Sequence, residues 1–352
     1  MDSPKTEREL LAAVVAAVLR PERTAELPGG DNQRLLAVAR RHRLTPLLSL
    51  AYGNRLPAEL REAVRHDRIL TTARNMALTH AGQHVVQAFA SAGVATIVLK
   101  GLDYETRLYG AAGARPTADI DLLVRQADRR RAFAVLDRLK FEPRAAAAGF
   151  DEPDYHEVAW AGDGVEVDLH MGLAPVARCG IDYDAVWAQA EPARLGNADT
   201  LVLSRPHAAV FQALHMAIDH FDVPAVYLID LSRLLPQPDD FARAAQVARS
   251  WRCLRPLVTA ATLTAAFAGG ALADALPPAS WMTRQVVTQY GGVAPLARPA
   301  QLLRKMAHFD SAVDAGRYTL VQARRNLREQ FETRIRRRSA RDRLSLADSD
   351  AG

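Results

Sequence analysis

Asp119 and Asp121 stand one residue apart in the stretch Ala118-Asp119-Ile120-Asp121-Leu122-Leu123-Val124. On a strand, alternate side chains share a face, so this spacing sets two carboxylates side by side while Ile120, Leu122 and Val124 point into the opposite layer. Two ionised carboxylates ~7 Å apart at their backbones repel, and a fold tolerates them when solvent or a cation lies between. Mg²⁺ suits that place, because it takes hard oxygen ligands and completes its shell with water and substrate phosphates; Mn²⁺ is the usual substitute. Further along, Val165, Val167 and Leu169 alternate with Glu166, Asp168 and His170, so Asp168 can add a third carboxylate. Three acids around two cation positions is an arrangement that in-line phosphoryl chemistry uses. Taken alone, the Asp-x-Asp spacing also reads as a pair of solvated or capping residues.

Such acids need a sheet, and the surrounding pattern supplies one. From Glu7 to about Ser91 the composition favours helix, with breaks at Pro21, Pro28-Gly29-Gly30, Gly53 and Pro57, which predicts about three helices. The last opens near Pro57 and runs unbroken to Ala92. Gly93 ends it, and Val94 to Leu99 and then Asp119 to Val124 read as strands, separated by a short helix over Asp103 to Tyr109 and a Gly/Ala/Pro loop through Pro116. Ala127 to Lys140 returns to helix. Tyr155 to Trp160 and Val165 to His170 flank Gly162-Asp163-Gly164 as a hairpin. A two-residue loop at Gly162-Asp163 would set Glu157 opposite Asp168 and Tyr155 opposite His170. From about Ala208 to Leu276 the pattern is helical again. The fold class is α+β: an N-terminal helical region over 1–92, a core with the hairpin over 93–206, a C-terminal helical region over 207–316 and a basic tail over 317–352.

With 352 residues, 49% apolar and 24% charged, the chain can bury two or three packed units. The net charge of +5 is concentrated between Arg317 and Arg343, where ten arginines meet only Glu329, Glu332 and Asp342. Only Phe331 lies near the Arg336-Arg337-Arg338 run, so no base-stacking platform is formed and nucleic acid is not the expected partner. Cys179 and Cys253 lack metal-ligand spacing, which argues against a disulfide framework or a cysteine zinc site and fits a cytoplasmic location. Leu10 to Leu19 lacks a signal peptide's basic start. The uncharged run Leu257 to Ala273 is broken by Gly269-Gly270 and reads as a buried helix, so no membrane association is expected.

The ordered set Val98-Leu99-Lys100-Gly101, Arg115-Pro116-Thr117-Ala118-Asp119-Ile120-Asp121-Leu122-Leu123-Val124 and Val167-Asp168-Leu169-His170 resembles the uncharacterised bacterial nucleotidyltransferase family of the DNA polymerase β superfamily. The likeness extends more loosely to about Pro277. It implies a small mixed sheet carrying helices, and transfer of a nucleoside monophosphate from an NTP, with ATP the leading donor, to a hydroxyl acceptor with release of pyrophosphate. It further implies Mg²⁺ or Mn²⁺ as cofactor, held by Asp119, Asp121 and Asp168, with Asp168 as second-metal ligand or base. Where many members carry Gly-Ser before the first helix, this chain has Lys100-Gly101. Gly101 still permits close backbone approach to a phosphate, and Lys100 can supply a point charge in place of the hydroxyl. Arg115, held extended by Pro116, is expected either to offer its fork to the β- or γ-phosphate or to pair with Asp119 or Asp121.

The acceptor is legible only as a hydroxyl-bearing small molecule, peptide or protein. His215, Asp219, His220 and Asp222 fall within eight residues but lack a complete metal signature, and with Tyr227 and Asp230 they read instead as an acceptor pocket. His170 is open between a site role and a structural one. A second class of function is a regulatory protein that binds NTP on this fold without transferring it.

Overall fold

Among the described residues four helices precede the first strand, one more than the composition suggests. In α1, Glu7–Leu19, the Thr6 hydroxyl accepts from Glu9 N while the Glu9 carboxylate accepts from Thr6 N, a reciprocal cap. After α2, Asn32–Arg41, and α3, Thr45–Tyr52, comes α4, Ala58–Ser91, the long unbroken helix expected from Pro57 onward. The computed structural model describes residues 6–20, 31–144, 156–175, 177–291, 309–321 and 323–324. Tyr155 and most of the arginine-rich tail, beyond residue 324, lie outside the described residues.

Then follow β1, Thr96–Val98, the short α5, Leu102–Tyr104, β2, Ile120–Val124, α6, Arg129–Arg138, and β3, Glu142–Pro143. The hairpin is β4, Glu157–Gly162, with β5, Val165–His170. After α7, Tyr183–Ala188, a second hairpin that the sequence reading missed forms β6, Glu191–Leu195, and β7, Ala198–Val202. The C-terminal helices are α8, Arg205–Ile218, α9, Val226–Leu234, α10, Pro238–Ser250, α11, Leu254–Ala268, and α12, Trp281–Gln289. The seven strands make one mixed sheet in the order β3-β4-β5-β2-β1-β7-β6, in which β2 runs parallel to β5 and antiparallel to β1. The fold is α+β.

Strand alternation gives the sheet two different faces. Val98, Ile120, Leu122, Val124, Val165, Val167 and Leu169 pack with α4 and α6 into one apolar cluster. On the other face Ile97, Leu99 and Leu123 join a larger cluster that includes residues of α1 to α3 and α8 to α12, so N-terminal and C-terminal helices share a core. Gly82 of α4 is required by the first contact: a Cβ there would meet Leu195 Cδ2 at 2.8 Å and Ile120 Cγ2 at 3.3 Å, so the helix rides closer to the sheet than a larger residue allows. Among the described residues no helix is long and apolar enough to cross a membrane; α11, where the uncharged run lies, is a helix of the core.

The hairpin's register differs from the expected one. Its loop is Asp163-Gly164, both with positive φ (49° and 74°), so Gly162 pairs with Val165, Ala159 with Asp168 and Glu157 with His170. Asp-Gly suits the tight turn that matches strand twist, and Gly162 is needed for a different reason, because a Cβ there would meet Phe141 at 2.9 Å.

Candidate active site

The long helix α4 fixes the loop that leads into β2. Asn75 Nδ2 donates to Arg115 O at 2.9 Å, and Arg74 donates to Ala118 O at 3.0 Å and Gly164 O at 3.2 Å. Asp119 is therefore anchored just before β2, and Asp121 lies within it. The parallel register of β2 and β5 sets Asp168 beside Asp121 and His170 beside Leu123. As a result, carboxylate oxygens of Asp119, Asp121 and Asp168 all lie within 4.8 Å of one another, the one His/Cys/Asp/Glu group of this kind among the described residues. His215, Asp219, His220 and Asp222 do not form a second.

Asp121 is the hub. Lys100 Nζ is 2.7 Å from its Oδ1, and His170 Nε2 is 3.2 Å from the same oxygen. An ionised carboxylate only accepts, so Nε2 carries the hydrogen. On the far side of the ring, Nδ1 faces Glu157 Oε2 at 3.4 Å, an ion-pair distance without hydrogen-bond alignment. The second oxygen of Asp121, Oδ2, is buried with no hydrogen-bond partner. Gly101, with φ at 50°, opens the space in front of it: a Cβ would come within 3.7 Å of Oδ2 and 2.9 Å of Thr117 Cγ2.

These neighbours drive the acids apart in proton affinity. Burial alone would raise Asp121, but Lys100 and His170 hold it well below the usual carboxylate range. Burial and then the charge of Asp121 push Asp168 up to about 7, and the same two causes raise Asp119. Burial works against the Lys100 charge, yet Asp121 and Asp119 outweigh it and raise its pKa. His170 is likewise lifted against burial by its hydrogen bond to Asp121 and by Glu157. A buried orphan oxygen beside two half-buried carboxylates of raised pKa is a donor set that fits a hard divalent cation.

The residues expected to meet phosphate are placed unequally. Lys100 and Gly101 adjoin the acids. Arg115 does not pair with Asp119 or Asp121; its Nε lies 3.0 Å from both oxygens of Asp230 and its Nη2 2.8 Å from Oδ2. Tyr109 OH donates to the same carboxylate at 2.6 Å. Arg115 is 3% and Asp230 0% exposed, so Asp230 lines no open pocket and the Arg115 fork could reach a phosphate only by leaving this pair. Tyr227 and His215 pair with each other, His215 Nε2 lying 3.4 Å from Tyr227 OH, and both feel the charges of Lys100 and Asp121; burial, then the Lys100 charge, lowers the imidazole to about 3.

His170 carries more of the site than its sequence context suggested, although a signal was there, since it shares a face with Asp168. Arg74 and Asn75 gave none, being ordinary polar residues of a long helix. A cleft of about 630 Å³ opens where β2 and β5 end, lined in part by Arg125, His156, Met171, Tyr183 and Trp187. It begins one residue beyond His170 and one before Glu157.

The model of a family described as "uncharacterised nucleotidyltransferase" matches residues 28–269, more than half of the chain. A crystal structure of an antigenic nucleotidyltransferase-like protein from Paracoccidioides brasiliensis aligns over 49% of this chain and 87% of that one, at 14% identity and a TM-score of 0.32. A likeness that slight adds nothing to the reading of the site. No curated protein matches the chain.

Proposed function

The chain belongs to the uncharacterised nucleotidyltransferase family, and from that premise we propose that it is a metal-dependent enzyme of the polymerase β type, moving a nucleoside monophosphate from an NTP to a hydroxyl acceptor with release of pyrophosphate. The observation that carries this reading is the cluster of Asp119, Asp121 and Asp168 within 4.8 Å, with Asp121 Oδ2 buried and unpartnered. These three acids would hold Mg²⁺ or Mn²⁺, which neutralises charge on the phosphates and lowers the pKa of the attacking oxygen.

The chain's own groups divide the remaining work. Lys100 and His170 keep Asp121 ionised and oriented, as a metal ligand must be. Asp168, at about 7, is matched to taking a proton from an acceptor hydroxyl near neutral pH. Gly101 lets a phosphate approach the backbone at the β1–α5 turn. The cleft beside His156 and Met171, beyond the ends of β2 and β5, has room for a hydroxyl-bearing small molecule or the side chain of a peptide or protein, and none of the three acids lines it. ATP is the first donor to test.

One observation favours the regulatory alternative. The Lys100 ammonium on Asp121 balances part of the acid charge without a metal, as a protein that only binds nucleotide could do. The test is pyrophosphate release from ATP, CTP, GTP and UTP with Mg²⁺ or Mn²⁺, with and without hydroxyl acceptors. Asp168→Asn is the better variant, because an Asp121 substitution would also strand the buried Lys100. Transfer should fall by about a hundredfold or more in Asp168→Asn. Nucleotide binding without turnover in the wild type would favour the regulatory protein, and undiminished turnover in Asp168→Asn would remove the acids from the chemistry.

A further inference from the structure

A triphosphate is a polyanion, and both cations expected to meet it are engaged elsewhere: Lys100 on Asp121 and Arg115 on Asp230. Arg43 is placed differently. It occupies the turn between α2 and α3, with φ at 58°. His42 clamps that turn to the start of α9, its carbonyl accepting from Val226 N at 3.2 Å and its Nδ1 accepting from Ala225 N at 3.2 Å. Burial lowers His42 to about 4, so the ring stays a neutral acceptor and the clamp holds at neutral pH. The next residue of α9 is Tyr227, which is close enough to Lys100, Arg115, Arg43 and Asp121 for the charge of each to act on its phenol. The turn that carries Arg43 is thus tied to the start of the helix that carries Tyr227. Arg43 is half-buried and has no ion pair or side-chain hydrogen bond among the described residues.

We propose that Arg43 is the triphosphate-binding arginine of the site, offering its guanidinium to the β- or γ-phosphate in the role the sequence suggested for Arg115. The proposal rests on the nucleotidyltransferase reading. A planar fork with no carboxylate to satisfy is the group best able to take two phosphate oxygens without first breaking a buried pair. It also divides the labour, since the acids take the metal and Arg43 the phosphates farthest from the transferred group.

Arg43→Gly is a mild test variant, because glycine adopts a left-handed backbone at no steric cost. The probes are inorganic tripolyphosphate and the non-hydrolysable α,β-methylene analogue of ATP, each with Mg²⁺, and Mn²⁺ alone, all by calorimetry. Arg43→Gly should weaken both triphosphate probes by about ten- to a hundredfold, with part of the loss recovered in Arg43→Lys, while Mn²⁺ affinity stays within about twofold. Unchanged affinity for both triphosphate probes would overturn the role of Arg43 and leave the proposed function standing. If the wild type bound neither probe, both would fall. Loss of Mn²⁺ binding in Arg43→Gly would also overturn the proposal, because the residue would then be shaping the acid cluster rather than meeting phosphate.

Discussion

Two buried clusters of charge flank Tyr227, and they are built to opposite rules. Around Asp230, Arg115 supplies a fork and Tyr109 a hydroxyl, so one positive charge meets one negative charge with donors on both carboxylate oxygens. Around Asp121, three carboxylates share one ammonium and one imidazole, and Oδ2 is left without a partner. A closed pair has nothing further to bind and serves the fold, tying the loop before β2 to α9. An unbalanced cluster is stable only in part until a cation arrives. The difference sets the arginine that the sequence singled out, held in a closed pair with Asp230, apart from the open acid cluster.

The largest effect should come from breaking the closed pair. Asp230→Ala strands Arg115 in the core and should cost about 3–5 kcal/mol in urea unfolding, by the same amount with or without Mg²⁺. A loss under about 1 kcal/mol would mean that the pair is not structural. At the open cluster the sign reverses. Asp168→Asn removes like-charge repulsion, so the metal-free protein should be no less stable, but it should lose the gain of about 2.7 kcal/mol that a divalent ion gives at a hundred times its Kd. An equal Mg²⁺ gain in wild type and variant would contradict the contrast.

A third test uses pH. Asp168 keeps its proton to about 7 when folded, whereas an unfolded aspartate loses it near its ordinary value of 3.8, so the folded state binds more protons between these two limits. Stability without metal should therefore fall as pH rises through that window. Metal affinity should move the other way, dropping about tenfold per unit as pH falls below 7, and Asp168→Asn should flatten that dependence. A profile that is flat in the wild type would deny Asp168 a place among the ligands. The smallest effect is a control on the opposite face: Gly82→Ala should cost about 1 kcal/mol through its contact with Leu195 and leave Mn²⁺ affinity unchanged, as denaturation and calorimetry would show.

Local pattern carried much of this architecture. The helix from Pro57, strand β5 and the shared face of Asp119, Asp121 and Asp168 follow from periodicity, because each is set by neighbours in sequence. The hairpin register did not follow, since Gly162-Asp163-Gly164 offers two tight turns and the choice depends on Phe141 packing against Gly162. Strands β6 and β7 were hidden by Pro192, Arg194 and Asp199, polar or strand-poor residues that an edge hairpin tolerates. Asp230 as the partner of Arg115 lies 115 residues away, and no local spacing signals a pair that only the packing of α9 creates.

Cation binding by the acid cluster can be read from Mn²⁺ titration followed by electron paramagnetic resonance. The expected result is saturable Mn²⁺ uptake by the wild type, displaced by Mg²⁺ and lost in an Asp168→Asn protein that retains its circular dichroism. No saturable uptake, or equal uptake by the folded variant, would contradict it.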